Sequence, residues 1–308
     1  MSEPTGPSRP PSFTSLANAR ALLATAGLTP KKSWGQNFLT DDTVLEDIAR
    51  ASGAAPHKPV VELGAGLGAL TAHLVAGGGP VVAIERDREL VPLLAQALGE
   101  VPGFDLREAN AATLDYAALA RELGCKLSVV GNLPYQLSSR ILVSLADAGE
   151  HIERAVLLVQ REVAERIVAE PGSRTYGLLT VLVQRAFDAE RIRDVAASAF
   201  HPPPKVSSAV VRLWRKARPF THDQDVQLVA AARHAFSARR KTLRNSLAGS
   251  LRIEGERAGQ LILAAGLDPM VRAERLGLAD FARLGETLAA EGLVSCDGSG
   301  LESLDTDG

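Results

Sequence analysis

Short β-type runs alternate with helical patterns along the first two thirds of the chain. Five such runs lie at 60–63, 81–84, 104–107, 127–130 and 155–159. A helix between two strands carries the chain back to the same end of a sheet, so this alternation predicts an α/β fold with a mostly parallel sheet. Two later runs, 189–195 and 208–214, flank a proline-rich stretch and are expected to form an antiparallel addition at one edge.

The pattern changes after residue 215, where only helical runs follow, at 224–236, 240–247, 257–265 and 279–290. We therefore predict an α/β domain over 15–215 and a small all-helical domain over 216–294. The terminal segments, 1–14 and 295–308, contain few apolar residues and much Pro, Gly, Ser or Asp. We expect them to be a disordered leader and tail.

Composition narrows the possible functions. A formal net charge of -2 and a pI near 6.3 argue against a nonspecific polyanion binder, so nucleic-acid contact must come from local basic patches. Cys125 and Cys296 offer neither a disulfide framework nor a paired metal motif, and no metal is expected. The N-terminus lacks a signal-peptide pattern, and no apolar run approaches the roughly 20 residues that span a bilayer. A cytoplasmic protein without membrane contact is therefore expected.

A glycine-rich turn follows the first β-type run. Glu62 stands just before Gly64 and Gly66, which can turn the backbone tightly into the next helix. Glu85 ends the next β-type run, about twenty residues further on, where a carboxylate can accept hydrogen bonds from both ribose hydroxyls. Together these features predict a nucleoside-binding half-site.

The same glycines leave an alternative open. With Ala69 in the last place the turn also satisfies the dinucleotide fingerprint, which would suit a nicotinamide dehydrogenase. Glu62 counts against it, because an acid before the first of three alternating glycines is usual in S-adenosylmethionine-dependent methyltransferases.

The run at 127–130 ends in Asn132-Leu133-Pro134-Tyr135. The side-chain oxygen of Asn132 and the carbonyl of Leu133 can accept hydrogen bonds from both N–H groups of an adenine amine. This directs the nitrogen lone pair at a methyl donor. Tyr135 can stack on the base, which is worth ~1–3 kcal/mol. Most of the acceleration would be positioning, which can supply ~7–11 kcal/mol. The competing interpretation is that Asn132 caps the next helix and Tyr135 belongs to the core.

In combination, these motifs resemble the ribosomal RNA adenine-N6 dimethyltransferases, which include a KsgA type and an Erm type. The resemblance covers residues 31–288 and is carried by 31–39, 62–68, Glu85, 132–135, 200–208 and 239–247. The stretches 160–163 and 176–177 favour the KsgA type. A protein glutamine methyltransferase also carries an Asn-Pro-Pro-Tyr clamp, but Leu133 replaces its first proline here.

The resemblance implies a Rossmann-like domain that uses S-adenosylmethionine. The implied activity is N6,N6-dimethylation of two adjacent adenines in a hairpin loop near the 3′ end of small-subunit (16S) rRNA, within a 30S or pre-30S particle. Unpaired loop bases suit this chemistry, since reaching N6 requires unstacking. Two alternatives are an assembly factor with dispensable catalysis and an Erm-type enzyme for large-subunit rRNA. Nothing requires more than a monomer.

The resemblance also assigns roles to single residues. The implied cofactor-binding residues are Asn37, Leu39, Glu62, Gly64, Gly66, Glu85, Asn110 and Asn132. The implied catalytic residues are Asn132, Leu133, Tyr135 and Phe200. Prolines at 202–204 would stiffen the loop that presents Phe200 to the base, although a plain rigid loop is the competing account. Asn110 departs from the family, where Asp is usual, and predicts weakened or re-tuned cofactor affinity.

RNA contact is expected from two basic clusters, whose members are Lys31, Lys32, Arg239, Arg240, Lys241 and Arg244. A solvated helix face is the usual meaning of such a run. Beside a base-binding clamp, phosphate contact becomes the preferred interpretation, and RNA affinity should then fall with salt.

Overall fold

The computed structural model describes residues 16–217, 220–238 and 240–294. The strands in this part are β1 (Phe38–Leu39), β2 (Val60–Leu63), β3 (Val81–Glu85), β4 (Phe104–Glu108), β5 (Leu127–Asn132), β6 (Ile152–Gln160), β7 (Phe187–Val195), β8 (Phe200–His201) and β9 (Ser208–Arg215). The helices are α1 (Leu16–Thr25), α2 (Asp42–Ser52), α3 (Ala69–Ala76), α4 (Val91–Leu98), α5 (Tyr116–Leu123), α6 (Ser138–Asp147), α7 (Arg161–Ile167), α8 (Leu178–Gln184), α9 (His222–Ala235), α10 (Leu243–Leu251), α11 (Gly255–Ala264) and α12 (Leu278–Ala290).

Seven strands form one sheet in the order β4-β3-β2-β5-β6-β9-β7. The first five are parallel, and β9 runs antiparallel to β6. The strand order reverses between β2 and β5, and in such sheets ligands bind at that point, beyond the carboxyl ends of the strands. The fold predicted from the alternating pattern is therefore confirmed, and its topology specifies where a site should lie.

The central strands are mostly apolar and almost entirely buried, as expected for a parallel sheet covered on both faces. Their side chains pack with α2 and α3 in one cluster that includes Ile48, Val60, Leu74 and Val130. Burying each such side chain contributes roughly 1.5–3 kcal/mol, so this core can hold the strand ends in a fixed register. A small antiparallel pair, β1 with β8, lies outside the main sheet.

The described chain divides into two compact units. The first comprises residues 16–164 and 189–215, and the second comprises 165–188 and 216–294. Residues 165–188 were predicted to belong to the α/β domain, so the units differ from the predicted domains there. The reason is local packing: Arg185 forms an ion pair with Asp225, and the Tyr176 hydroxyl donates to the Leu276 carbonyl at 2.8 Å. A functional division into two domains remains a prediction.

The second unit is built from helices around a small aromatic core. The ring of Phe236 lies 5.8 Å from that of Phe281, centroid to centroid. Helices α9 and α12 pack so closely that a Cβ at Gly285 would lie 2.4 Å from the Gln227 carbonyl oxygen. The glycine permits this approach. Among the described residues, no helix combines the length and the apolar character needed to span a bilayer.

Candidate active site at the carboxyl ends of the central strands

A cleft with about 770 Å³ of empty space, part of it open solvent, lies at the switch point of the sheet. Its walls come from the segment before β1, the turns after β2 and β3, residues 109–111, and the stretch that follows β5. Because neighbouring parallel strands end at the same edge, the predicted residues Gly64, Glu85, Asn110 and Asn132 all line it. Their sequence separation is large, and the sheet register brings them together.

The glycine turn after β2 has the left-handed backbone that its sequence predicts. Gly64 and Gly66 have φ values of 73° and 59°, which L side chains rarely adopt. A Cβ at Gly66 would also lie 3.3 Å from the Phe38 ring. The turn therefore keeps backbone, and no side chain, at the floor of the cleft.

Glu85 is held by the backbone around it. One carboxylate oxygen accepts the Gly66 N–H at 2.8 Å, and the other accepts the N–H groups of Arg86 and Asp87, also at 2.8 Å. The side chain is 6% exposed, and burial raises its pKa although these three hydrogen bonds oppose the shift. The result is a carboxylate in a fixed orientation that lines the cleft.

Glu62 lies deeper, behind the glycine turn, and is 2% exposed. It accepts a hydrogen bond from the Thr71 hydroxyl at 2.6 Å. Burial raises the pKa of Glu62 to about 7, and the charge of Glu85 adds to the shift. Glu62 lines a second, smaller cavity with about 430 Å³ of empty space, part of it open solvent, together with Leu39, Gly64 and Asn132.

Asn132 ends β5 and is oriented from across the cleft. Its side-chain nitrogen donates to the Asn37 carbonyl at 2.8 Å, which leaves the side-chain oxygen as the acceptor for a ligand. Leu133 is anchored by its N–H, which donates to the Leu158 carbonyl at 3.1 Å. Leu133 and Pro134 also line the cleft, so the Leu133 carbonyl is a second candidate acceptor next to Asn132 in the chain.

Tyr135 forms part of the cleft wall with a half-buried ring. Its hydroxyl shares a hydrogen bond of 2.7 Å with the Ser208 hydroxyl. Burial raises the pKa of Tyr135, so the ring stays neutral at physiological pH. A neutral ring fixed at its far end is a suitable stacking face.

Asn110 begins the 3-10 turn Ala111–Thr113, and its side-chain oxygen accepts the Ala112 N–H at 3.0 Å. One of the two lone pairs on that oxygen is therefore already engaged. An Asp at this position would keep the cap and add a second, charged oxygen.

Phe200 is not brought to the cleft. It is 2% exposed, pairs with Leu39 across β1 and β8, and packs in the main core. The apolar ring is held in the core by the pairing of β8 with β1, and contact between Phe200 and a target base stays a prediction. Leu39 itself is buried and lines only the smaller of the two cavities.

The predicted basic residues lie in different places. Lys31 forms ion pairs with Asp87 and Glu89, and Lys32 belongs to the 3-10 turn Lys32–Trp34. Arg240, Lys241 and Arg244 are exposed in the second unit. Arg239 lies outside the described residues.

Some residues in and around the cleft were not predicted from the sequence. The Arg86 guanidinium lies 3.9 Å from the centre of the Trp34 ring, and both line the cleft. Gly131, inside β5, lies so near β2 that a Cβ would come within 2.6 Å of the Leu63 carbonyl oxygen. A glycine within a strand often marks such an approach and was the available signal.

A cleft at the switch point of a parallel sheet, with a fixed carboxylate on one side and an amide clamp on the other, is typical of Rossmann-like methyltransferases. Residues 27–290 match the family model described as ribosomal RNA adenine dimethylase, and the chain belongs to that family.

Relatives and solved structures extend the match. The ribosomal RNA small subunit methyltransferase A of Anaeromyxobacter dehalogenans (strain 2CP-C) is 48% identical over 278 residues, 87% of this chain and 97% of the relative. That of Myxococcus xanthus (strain DK1622) is 44% identical over 275 residues, 89% and 96% of the two chains. The 23S rRNA methyltransferase ErmE superposes with a TM-score of 0.62 at 26% identity, over 82% of this chain and all of that one. A Plasmodium falciparum dimethyladenosine transferase, with a TM-score of 0.69 at 24% identity over 83% and 98%, shares the fold.

These findings confirm the family, the Rossmann-like fold with its helical C-terminal region, and S-adenosylmethionine as cofactor. The chain is an rRNA adenine dimethyltransferase, so the dehydrogenase alternative is wrong. The small-subunit type fits better than the Erm type, since identity is 48% to the first and 26% to the second.

Proposed function

We propose that this protein dimethylates N6 of two adjacent adenines in a hairpin loop near the 3′ end of small-subunit rRNA. The observation that carries this proposal is the orientation of Asn132, whose nitrogen is engaged by the Asn37 carbonyl at 2.8 Å. The amide therefore offers its oxygen to a ligand, and an adenine amine needs an acceptor. Identity of 48% to a small-subunit enzyme supports the choice of substrate.

The residues of the cleft fit S-adenosylmethionine, because left-handed glycines leave backbone at its floor and Glu85 stands fixed at its side. When bound, this cofactor supplies a methyl group already activated by a sulfonium. Glu85 would accept hydrogen bonds from the ribose hydroxyls, and Asn110 would contact the adenine. Gly64 and Gly66 would face the methionine part. Asn37, Leu39 and Glu62 would enclose that end.

Asn132, Leu133 and Tyr135 would act on the target base. The Asn132 side-chain oxygen and the Leu133 carbonyl would accept hydrogen bonds from the two N–H groups of the amine, which opposes delocalisation of the nitrogen lone pair into the ring. Tyr135 stacks on the base, which contributes ~1–3 kcal/mol. These groups bind and orient, so catalysis rests chiefly on positioning, worth ~7–11 kcal/mol when geometry is held.

The exposed residues Arg240, Lys241 and Arg244 would contact RNA phosphates. Lys31 would contribute less, because Asp87 and Glu89 already neutralise it. We further propose a cytoplasmic monomer that acts on a 30S or pre-30S particle.

The test is transfer of radiolabelled methyl from S-adenosylmethionine to small subunits that lack the modification, with products resolved by nucleoside mass spectrometry. We expect N6,N6-dimethyladenosine with the wild type and with Gln260→Ala, an exposed control in α11. Asn132→Ala should abolish it. If the wild type binds S-adenosylhomocysteine yet transfers no label, the proposal fails in favour of an assembly factor or another substrate.

A further inference from the structure

We propose that Asp87 and Gln36 are positioning residues for methyl transfer, acting through the Asn37 carbonyl that orients the Asn132 amide. The inference rests on the proposed function of Asn132 and extends it to two residues that do not touch the base. Both belong to a connection between the end of β3 and the end of β5 across the cleft. We call residues 31–37 the strap.

Asp87 is the fixed end of this connection. Its side chain is 2% exposed, and one oxygen accepts Lys31 Nζ at 2.6 Å and the Glu89 N–H at 3.1 Å. The other oxygen accepts Gln36 Nε2 at 2.7 Å. Burial raises the pKa of Asp87, but these hydrogen bonds and the charge of Lys31 outweigh it, so the pKa lies below its ordinary value. The group stays ionised as an acceptor.

Gln36 transmits the constraint because both ends of its amide are used. While Nε2 donates to Asp87, Oε1 accepts the Lys31 backbone N–H at 2.8 Å. Reversing the amide would break both hydrogen bonds, so its orientation is unique. Gln36 directly precedes Asn37, whose carbonyl receives the Asn132 amide at 2.8 Å.

The orientation of Asn132 matters because its amide ends have nearly the same shape and opposite hydrogen-bonding roles. With the Asn37 carbonyl in place, the nitrogen is engaged and the oxygen serves as acceptor. If the strap shifts, the amide can reverse and present N–H groups to an amine that also donates. The clamp would then repel the base that it is built to hold.

The strap also lines the cofactor cleft through Trp34, Gly35 and Gln36. A purely structural role in closing that cleft therefore predicts that cofactor affinity and transfer rate fall together. A positioning role predicts a larger loss in the rate at saturating cofactor than in the affinity. The two roles therefore differ in the ratio of the loss in transfer rate to the loss in cofactor affinity, which can be measured.

The test reverses the polarity of the Asp87–Gln36 hydrogen bond. Asp87→Asn sets an N–H group against Gln36 Nε2, and Gln36→Glu sets two carboxylates against each other. The double variant lets an amide N–H at position 87 donate to a carboxylate at position 36, while Lys31 keeps acceptors at both positions. Net charge equals that of the wild type, so recovery would report hydrogen-bond geometry.

The first measurement is the single-turnover rate of methyl transfer to unmodified 30S subunits at saturating S-adenosylmethionine. The second is the affinity for S-adenosylhomocysteine, determined by calorimetry. Each single variant should lower the rate about 10-fold or more and weaken affinity less than about 3-fold, and the double should recover to within about 3-fold of the wild type. Glu89→Gln removes only the exposed partner of Lys31 and should leave the rate within about 2-fold.

The inference is overturned if the single variants transfer at the wild-type rate, if rate and affinity fall in parallel, or if the double recovers nothing. Should Asp87→Asn not fold, Gln36→Met answers the same question, because it keeps side-chain length and removes both hydrogen bonds. The variant should slow transfer while it remains folded at the assay temperature, as thermal denaturation checks, and a wild-type rate would reject the inference. A wild type that transfers no methyl would instead reject the proposed function.

Discussion

The two ends of the cleft are built in different ways. At the β3 end, the Glu85 carboxylate accepts hydrogen bonds from three backbone N–H groups. Two of these belong to the residues that directly follow Glu85. At the β5 end, the side chain of Asn132 has one hydrogen bond, to a carbonyl 95 positions earlier in the chain. Local chain geometry therefore preforms the carboxylate, whereas the amide depends on the strap. Affinity and transfer should respond to different substitutions.

The largest effect should come from Asn132→Asp. The change keeps acceptors toward the base but places a carboxylate oxygen against the Asn37 carbonyl, which removes the hydrogen bond that orients the group. We expect the transfer rate to fall about 100- to 1,000-fold, with S-adenosylhomocysteine affinity within about 3-fold. Single-turnover kinetics on unmodified 30S subunits measures the first, and calorimetry the second. Near-normal transfer would mean that the amide orientation is unimportant.

The opposite split is expected for Glu85→Gln. A side-chain amide cannot satisfy all three backbone N–H groups, and an unsatisfied buried group costs about 1–3 kcal/mol. We expect S-adenosylhomocysteine to bind about 10- to 100-fold more weakly, while the rate at saturating cofactor changes only a few-fold. Calorimetry and saturation kinetics provide both numbers. If the saturated rate falls as far as the affinity, the two ends of the cleft are not independent.

Much of this site could be predicted from sequence, since glycines, strand-terminal acids and the Asn-Leu-Pro-Tyr run are local signals. The sheet register then brings their positions together without further information. The hydrogen bond between Gln36 and Asp87 joins residues that lie 51 positions apart, and no periodic pattern in the sequence predicts it. The surroundings of Phe200 could not be predicted for a related reason. A Pro-rich sequence indicates a stiff loop, but only the pairing of β8 with β1 shows where the ring packs.

Glu62 should make the free energy of unfolding depend on pH. Its pKa is raised from 4.5 to about 7 by burial, so the folded state binds a proton more tightly than the unfolded state. The stabilisation is complete below about pH 4.5 and is lost as pH rises toward 7. Relative to Glu62→Gln, the wild type should lose about 1–2 kcal/mol of unfolding free energy between pH 5 and pH 7.

Urea denaturation of both proteins at pH 5, 6, 7 and 8 checks the Glu62 prediction. The difference between them isolates this carboxyl from other titrating groups, and it should level off above the folded-state pKa. A difference that stays constant across the series would show that Glu62 titrates at its ordinary pKa.

The smallest effect is expected at Asn110, for which the resemblance predicts weakened or re-tuned cofactor affinity. Its oxygen already accepts the Ala112 N–H at 3.0 Å, so Asn110→Asp keeps the cap and adds a charged acceptor for the cofactor's adenine amine. We expect S-adenosylhomocysteine to bind about 3- to 10-fold more tightly, as a charge-assisted hydrogen bond would allow, with the transfer rate unchanged.

An S-adenosylhomocysteine analogue with hypoxanthine in place of adenine has no exocyclic amine. Asn110→Asp should therefore bind this analogue no more tightly than the wild type does. Equal gains for the two ligands would mean that the added charge acts through the general field of the cleft. A gain confined to the adenine ligand would place residue 110 in direct contact with the amine. Cofactor affinity at the β3 end would then be adjustable without change to the clamp at the end of β5.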